Sequence, residues 1–336
     1  MPKRVLSFGE LLLRLGAPGR ELLLQSPRLD VHVGGAEANV AVALAALGHA
    51  AAVAGTVADN ALGRHAAGEL RRHGVDTSRL AFAPGRMGLY FLETGALQRP
   101  SEVLYDRADS AFARTHARSY DWPALLDGVD ALVLSGVTPA LGAACAQAAI
   151  DAARAAQARG ITVVFDGNYR GKLWQAWNGD APALLRDLFA CANIAFADHR
   201  DVAIVLGRTF DGGSDPDRDA ADAAFATFPD LYRLASTRRV QHSVDRHDLS
   251  AQSFTRTATL RTPPVALEAI VDRIGAGDAF AAGLLHGAFE GWSDADGLAF
   301  GLAAGALKHS VPGDFLALDA ARVAAAVGQA RYDVRR

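Results

Sequence analysis

Only two cysteines occur in the 336 residues, Cys145 and Cys191, each inside an apolar stretch. That is too few for a disulfide framework or a thiolate metal cluster, and both are expected as buried thiols of a reducing compartment. No charge sign dominates: 34 basic and 37 acidic residues leave a net charge of −3. The electrostatic footprint of a nucleic-acid binder is therefore missing, and no nucleic-acid partner is expected. Long apolar runs are missing as well. Hydrophobic residues make up 50% of the chain, but they are alanine-rich and broken by charges, so no membrane span is expected. The N-terminal MPKRVLSFGELLLRLG lacks the apolar core and small-residue cleavage site of a secretory signal and reads as a first strand; a cytoplasmic protein is expected. The glycine-spaced nucleotide motifs are absent: there is no Gly-x-x-x-x-Gly-Lys-Ser/Thr and no Gly-x-Gly-x-x-Gly after a strand, which argues against a P-loop or a dinucleotide site. Ten histidines show no paired ligand spacing, so nothing points to zinc.

What is present is an alternation of short apolar strands and helices. Residues 5–8, 131–134, 161–165 and 193–196 read as strands. Residues 36–47, 62–73, 139–159 and 200–206 read as helices, each followed directly by glycine. Such alternation means βαβ units and a mostly parallel sheet with helices on both faces. Two regions break the rhythm. Residues 11–33 and 86–106 hold short alternating segments such as GLYFLET, expected as a small separate sheet. Residues 209–219 read as a polar loop, and 236–260 as antiparallel strands late in the main sheet.

The most informative stretch is VDRIGAGDAF, 271–280. Gly275, Ala276 and Gly277 lead into an apolar helix, and a helix N-terminus offers free N–H groups and positive dipole to an anion. Asp278 beside a bound phosphate makes sense as a base that takes the proton of an attacking hydroxyl. It makes equal sense, from these ten residues, as a helix cap.

DRIGAGDAFAAGLLHG resembles the C-terminal signature of the ribokinase, or PfkB-type, carbohydrate kinases, and VGGAEANVAVALAALG at 33–48 resembles their N-terminal glycine signature. The resemblance implies a three-layer α/β/α ribokinase-like fold with a small β-sheet lid, a single domain over 1–336 with lid segments at about 11–33 and 86–106. It implies transfer of phosphate from ATP to a sugar hydroxyl, with Asp278 as base and 275–277 as anion hole. It also implies Mg²⁺ and is compatible with a monovalent cation. YDRADSAF, DGNYRGKLW, STRRVQHSVDRHDLSA and LKHSVPGDF are similar to stretches of the 2-dehydro-3-deoxygluconate (KDG) kinases within that family.

By the same resemblance, Gly34, Gly35 and Asn39 contact sugar. Tyr105 and Arg107, on alternate positions of one strand, project to one face, and Tyr90 covers the substrate. Arg170 follows a strand end, where open α/β sheets place ligands, and its fork suits a carboxylate. Asn168 beside it places the same loop near the phosphates in a second reading. Ser236, Arg238 and Arg239 are expected at the ATP phosphates, with Lys308 and His309 flanking adenine. At position 14 many sugar kinases of the family carry Asp; Arg14 suits an acidic substrate, or points to solvent. Asp198 and Asp201 stand where the family has Asn-x-x-Glu near the metal, a loose match. The expected function is a sugar-acid kinase acting on O6 of KDG. A kinase for a neutral sugar such as fructose or ribose, or a non-catalytic sensor on the same fold, are the alternatives. An apolar lid sheet would leave one face wet, so a homodimer or higher homo-oligomer is expected.

Overall fold

The computed structural model describes residues 2–328; Met1 and 329–336, which the expected domain span includes, lie outside the described residues. Along the chain the strands are β1 (Arg4–Phe8), β2 (Leu12–Gly16), β3 (Asp30–Gly34), β4 (Ala50–Ala58), β5 (Leu80–Ala83), β6 (Gly88–Glu93), β7 (Glu102–Asp106), β8 (Ala131–Ser135), β9 (Thr162–Asp166), β10 (Ile194–Phe196), β11 (Arg233–Gln241), β12 (His247–Phe254), β13 (Thr259–Arg261) and β14 (Val265–Leu267). Ten form the main sheet, in the order β13-β12-β11-β10-β9-β8-β1-β4-β5, with β14 also paired to β12. Pairs from β5 through to β11 are parallel, and β12 runs antiparallel to β11 and β13.

Alternation along each central strand feeds two hydrophobic layers. Leu6 and Phe8 of β1 pack into one, Val5 into the other. The helices Ala143–Gln157, Ala181–Cys191 and Pro216–Thr227 cover the first face, and Ala36–Ala46, Ala61–Arg72, Ala276–Phe289 and Asp294–Lys308 cover the second. With both faces buried, polar alternation has no place, and the strands read as apolar runs. The chain winds outward from β1 to β4 and β5, then returns to β8 on the other side of β1. The strand order thus reverses between β1 and β8, and the crevice outside the strand C-termini there is the expected ligand site.

Segments 11–33 and 86–106 form the small sheet expected of them, in the order β3-β2-β6-β7. One of its faces carries Leu12, Tyr90 and Leu92, packed with Val103, Tyr105 and Ile274. On the opposite face the register lines up Val31, Leu15, Phe91 and Leu104, of which Val31 and Leu104 are 56% and 61% exposed.

Two local expectations are corrected. The helix expected over 139–159 is two pieces, a 3₁₀ turn Pro139–Leu141 and a helix Ala143–Gln157. Gly142 separates them at φ 146°, a conformation no α-helix contains. The polar loop at 209–219 ends early, because the Asp215 side chain accepts from Arg218 N and starts the helix Pro216–Thr227. The antiparallel strands expected over 236–260 are β11 and β12 with the start of β13, and residues 234–239 lie within β11 and pair with β12.

Candidate active site

The helix Ala276–Phe289 begins one residue after Gly275, which is the N-cap at φ 81°. A side chain there would face the left-handed penalty, and its Cβ would lie 2.0 Å from the Asp314 carbonyl oxygen. The chain can turn this tightly only with glycine. The Ala276 N–H is taken by the Arg273 carbonyl at 3.3 Å. The N–H groups of Gly277 and Asp278 have no acceptor among the described residues. A Cβ at Gly277 would meet nothing within 4 Å, so this stretch of backbone is open to a ligand.

Asp278 is not the cap. It sits in the first turn, buried, and its Oδ2 accepts from Asn39 Nδ2 at 2.6 Å. Burial pushes its carboxyl up to about 7; the Asn39 hydrogen bond and the Arg170 charge oppose this, while Glu37 and Asp314 add to it. Asn39 comes from the helix Ala36–Ala46, whose N-cap Gly35 has φ 151° and a Cβ position only 2.4 Å from the Glu10 carbonyl oxygen. Among the described residues the Asn39 Oδ1 is buried without a partner, an acceptor left over beside Asp278.

Two cavities meet over Ala276 and Gly277. The first, about 470 Å³, is walled by residues of the small sheet and the strand ends, including Gly35, Asn39, Tyr90, Tyr105, Arg107, Asn168, Arg170 and Asp278. Those eight expected residues are brought together. Asp166, Glu37, Arg273 and Asp314 also line it. Burial, then the charges of Asp278 and Asp201, push Asp166 well up; burial also raises Glu37, against hydrogen bonds from Ser135 and Thr138. Asp314 accepts from the Tyr90 hydroxyl at 2.7 Å. Gly34 is not in the wall: its Cβ position lies 2.2 Å from Asp314 Oδ2, so the residue makes room for that carboxylate.

The second cavity, about 570 Å³, is lined by Asp198, His199, Arg200, Thr237, Arg238, Arg239, Arg273 and His309 among others. Arg238 and Arg239, expected at the ATP phosphates, and His309, expected beside adenine, thus share one cavity. Ser236 and Lys308 do not line either cavity. Ser236 Oγ accepts from Gln252 at 3.1 Å within the strand pair. Lys308 is 0% exposed and donates to the carbonyls of Asp272 and Val311, at 3.3 and 2.8 Å. These two acceptors draw its ammonium beneath the glycine loop.

Arg14 points neither to solvent nor into the cavity. It is 2% exposed, with Nη2 2.6 Å from Asp272 Oδ2 and Nε 3.1 Å from Asp314 Oδ1. Strand β2 is thereby tied to the glycine loop. Arg107 is not on a solvated face: it is buried against Glu10. Asp198 and Asp201 form a capping box at the helix His199–Leu206, and Asp198 also pairs with Arg200.

Residues 2–320 match the pfkB family carbohydrate kinase pattern. The chain belongs to the PfkB family of carbohydrate kinases. It is 34% identical to the 2-dehydro-3-deoxygalactonokinase of Haloferax volcanii, over 94% of this chain and 93% of that one. It is 34% identical to the 2-dehydro-3-deoxygluconokinase of Thermotoga maritima, whose crystal structure matches with a TM-score of 0.92 over 97% of this chain and 100% of that chain. A putative ribokinase II of E. coli, solved with ATP and Mg²⁺, shares the fold at 17% identity, with a TM-score of 0.81 over 97% of this chain and 99% of that chain.

Two carboxylates that could offer oxygen to a metal are Asp166 and Asp198, one in each cavity wall. Burial first, and then the nearby charges of Asp278 and Asp201, push the Asp166 carboxyl well up, and a hard divalent cation bound through oxygen would relieve both. Outside the lining of both cavities, His49 Nε2 and His286 Nδ1 come within 2.9 Å of each other with Glu290 nearby, a cluster whose His49 lies 237 residues from His286 in the chain. The two rings hydrogen-bond to each other, and Lys3 N donates to His49 Nδ1 at 3.3 Å. No helix among the described residues is long and apolar enough to cross a membrane.

Proposed function

We propose that the kinase transfers the γ-phosphoryl group of ATP to O6 of 2-dehydro-3-deoxy-D-gluconate. The observation that carries this reading is Asp278, a buried carboxylate bonded to Asn39 at 2.6 Å, placed where the two cavities meet beside unpaired backbone N–H groups. ATP lies in the cavity lined by Arg238, Arg239 and His309, and the sugar acid in the cavity beneath the small sheet. The O6 oxygen attacks the γ-phosphorus, its proton passes to Asp278, and ADP departs. The Gly277 and Asp278 N–H groups hold the phosphoryl oxygens as charge redistributes, with Gly275 and Ala276 shaping the turn. Asp166, in the wall of the sugar cavity, and Asp198, in the wall of the other, are the carboxylates that would hold Mg²⁺, whose charge would screen the phosphates when bound.

O6 is the reacting end of the substrate, so its carboxylate and C2 ketone lie away from Asp278. Tyr90, Tyr105, Arg107 and Arg170 line the same cavity and supply donors for that end. Of the two arginines, Arg107 is already paired with Glu10, whereas Arg170 makes no ion pair among the described residues. Arg170 therefore offers a fork not yet paired, although its charge reaches Asp166, Asp201 and Asp278; with Arg239 and Arg273 in the same wall, it makes the cavity one that an acidic sugar matches better than a neutral one. The C4 epimer, 2-dehydro-3-deoxygalactonate, is the second reading, favoured by the name of the Haloferax volcanii relative.

The protein is read as a single kinase domain of the cytoplasm, with the small sheet as lid. Its exposed outer face, with Val31 and Leu104, supports a homodimer that joins two lids. Phosphorus NMR of the product tests the chemistry: a phosphomonoester coupled to the two C6 protons is expected, and phosphate on any other carbon contradicts the O6 assignment.

A further inference from the structure

Glu10 directly follows β1 and Gly9, at the point where the main sheet hands the chain to the small one. Its side chain is buried, yet it does not line the sugar cavity. Glu10 Oε2 takes two nitrogens of Arg107, Nε at 2.8 Å and Nη2 at 2.7 Å. Glu10 Oε1 takes the hydroxyl of Ser110, the cap of the short helix Ala111–Arg114. The opposing lid strand gives way to the carboxylate: a Cβ at Gly88 would lie 2.5 Å from Glu10 Oε1. One carboxylate thus joins the end of β1, the start of β6, the residue after β7 and a helix cap. Of the Arg107 guanidinium it leaves only Nη1 uncommitted, on a side chain that does line the cavity.

We propose that Glu10 is a positioning residue for the sugar acid, fixing Arg107 so that its remaining Nη1 edge meets the substrate's anionic end. The proposal rests on the reading of Arg107 as a substrate contact. An unrestrained arginine would lose much of its rotamer freedom on binding a ligand. With two nitrogens already held, Arg107 has lost that freedom before the substrate arrives. The pairing also cancels its charge, so Arg107 selects by direction while Arg170 selects by charge.

The test uses the full-length kinase and four proteins: wild type, Glu10→Gln, Arg107→Ala and the double variant. KM for KDG, KM for ATP and thermal stability are measured for each. Gln keeps the size of Glu10 and an acceptor for Ser110 but loses the charge-assisted fork. Glu10→Gln is expected to raise KM for KDG about 5- to 20-fold, the loss of roughly one charge-assisted bond, with KM for ATP unmoved. In the Arg107→Ala background the same change should raise KM no further and should recover part of the lost thermal stability, because it removes an unpaired buried carboxylate. An unchanged or lowered KM in Glu10→Gln, or a full additional rise in the double variant, overturns the positioning role. A wild-type KM for KDG in Arg107→Ala overturns instead the substrate contact on which the proposal rests, and the proposal with it.

Discussion

Asn39 donates to Asp278 Oδ2 at 2.6 Å, across 239 residues of chain. This contact joins the N-terminal glycine signature to the C-terminal one. It sets aside one of the two readings of Asp278 that the decapeptide leaves equal, the helix cap: the carboxylate lines the cavity and its partner is a side chain, while Gly275 caps the helix. Asp278→Asn keeps the size and removes the base. Turnover is expected to fall about 10²- to 10⁴-fold, with calorimetric binding of ATP and KDG retained. Near-normal turnover would contradict a base at this position.

The pH dependence follows from the same residue. With the Asp278 carboxyl pushed up to about 7, kcat/KM should fall on the acid side with an inflection near that value, as the base becomes protonated. The Asn39 hydrogen bond holds the carboxyl down, so Asn39→Ala should move the inflection to higher pH. Stability runs the opposite way. A carboxyl whose folded pKa lies above its unfolded value of about 3.9 favours the folded state most at low pH and loses that advantage as pH rises through 7. Asp278→Asn should therefore melt above wild type at about pH 8, with the gap narrowing down to about pH 4. Melting curves across that range check the sign.

Gly277→Val places a side chain in open space where the two cavities meet, with nothing within 4 Å for its Cβ to strike. The variant should fold and melt like wild type yet lose ATP-dependent turnover. Wild-type KM for ATP in this protein would show that the loop does not face the nucleotide.

Arg170→Ala should cost about 10- to 100-fold in kcat/KM for KDG, the worth of one partly buried charge-assisted contact, and leave KM for ATP unchanged. Arg107→Ala should behave differently, because it strands Glu10 in the interior. It should lower stability by about 3–5 kcal/mol, read from urea unfolding, in addition to raising KM for KDG.

The contrast between these two arginines shows where sequence reading stops. The central strands are legible because both faces of the sheet are buried, which leaves β1, β8 and β9 as bare apolar runs. The glycine loop is legible because only glycine permits φ 81° against the Asp314 carbonyl. The ion pairs are not legible. Arg107 finds Glu10 97 residues away, and Arg14 finds Asp272 258 residues away, and no local spacing encodes either. Lys308 lies in a recognisable motif, yet its fate is decided by two carbonyl acceptors that appear only when the loop folds over it. Asp314 lies in the same motif, LKHSVPGDF, and its place in the sugar cavity depends on Tyr90 of the small sheet. The three carboxylates Glu37, Asp166 and Asp278 converge because three separate elements end at one crevice, which a linear pattern does not display.

The outer face of the small sheet predicts the assembly. Val31→Asp, at a position 56% exposed on that face, should convert a dimer to a monomer in light scattering. A wild-type protein that is monomeric at micromolar concentration contradicts lid-to-lid association.

The most direct measurement is an ADP-coupled assay of the wild-type kinase over KDG, its C4 epimer, gluconate, fructose and ribose at equal concentration. The account predicts the highest kcat/KM for KDG or its epimer, with fructose and ribose weaker by at least the 10- to 100-fold that one charge-assisted contact contributes, roughly 1.5–3 kcal/mol. A preference for fructose or ribose would contradict the acid-sugar assignment and leave Arg170 without a carboxylate to meet.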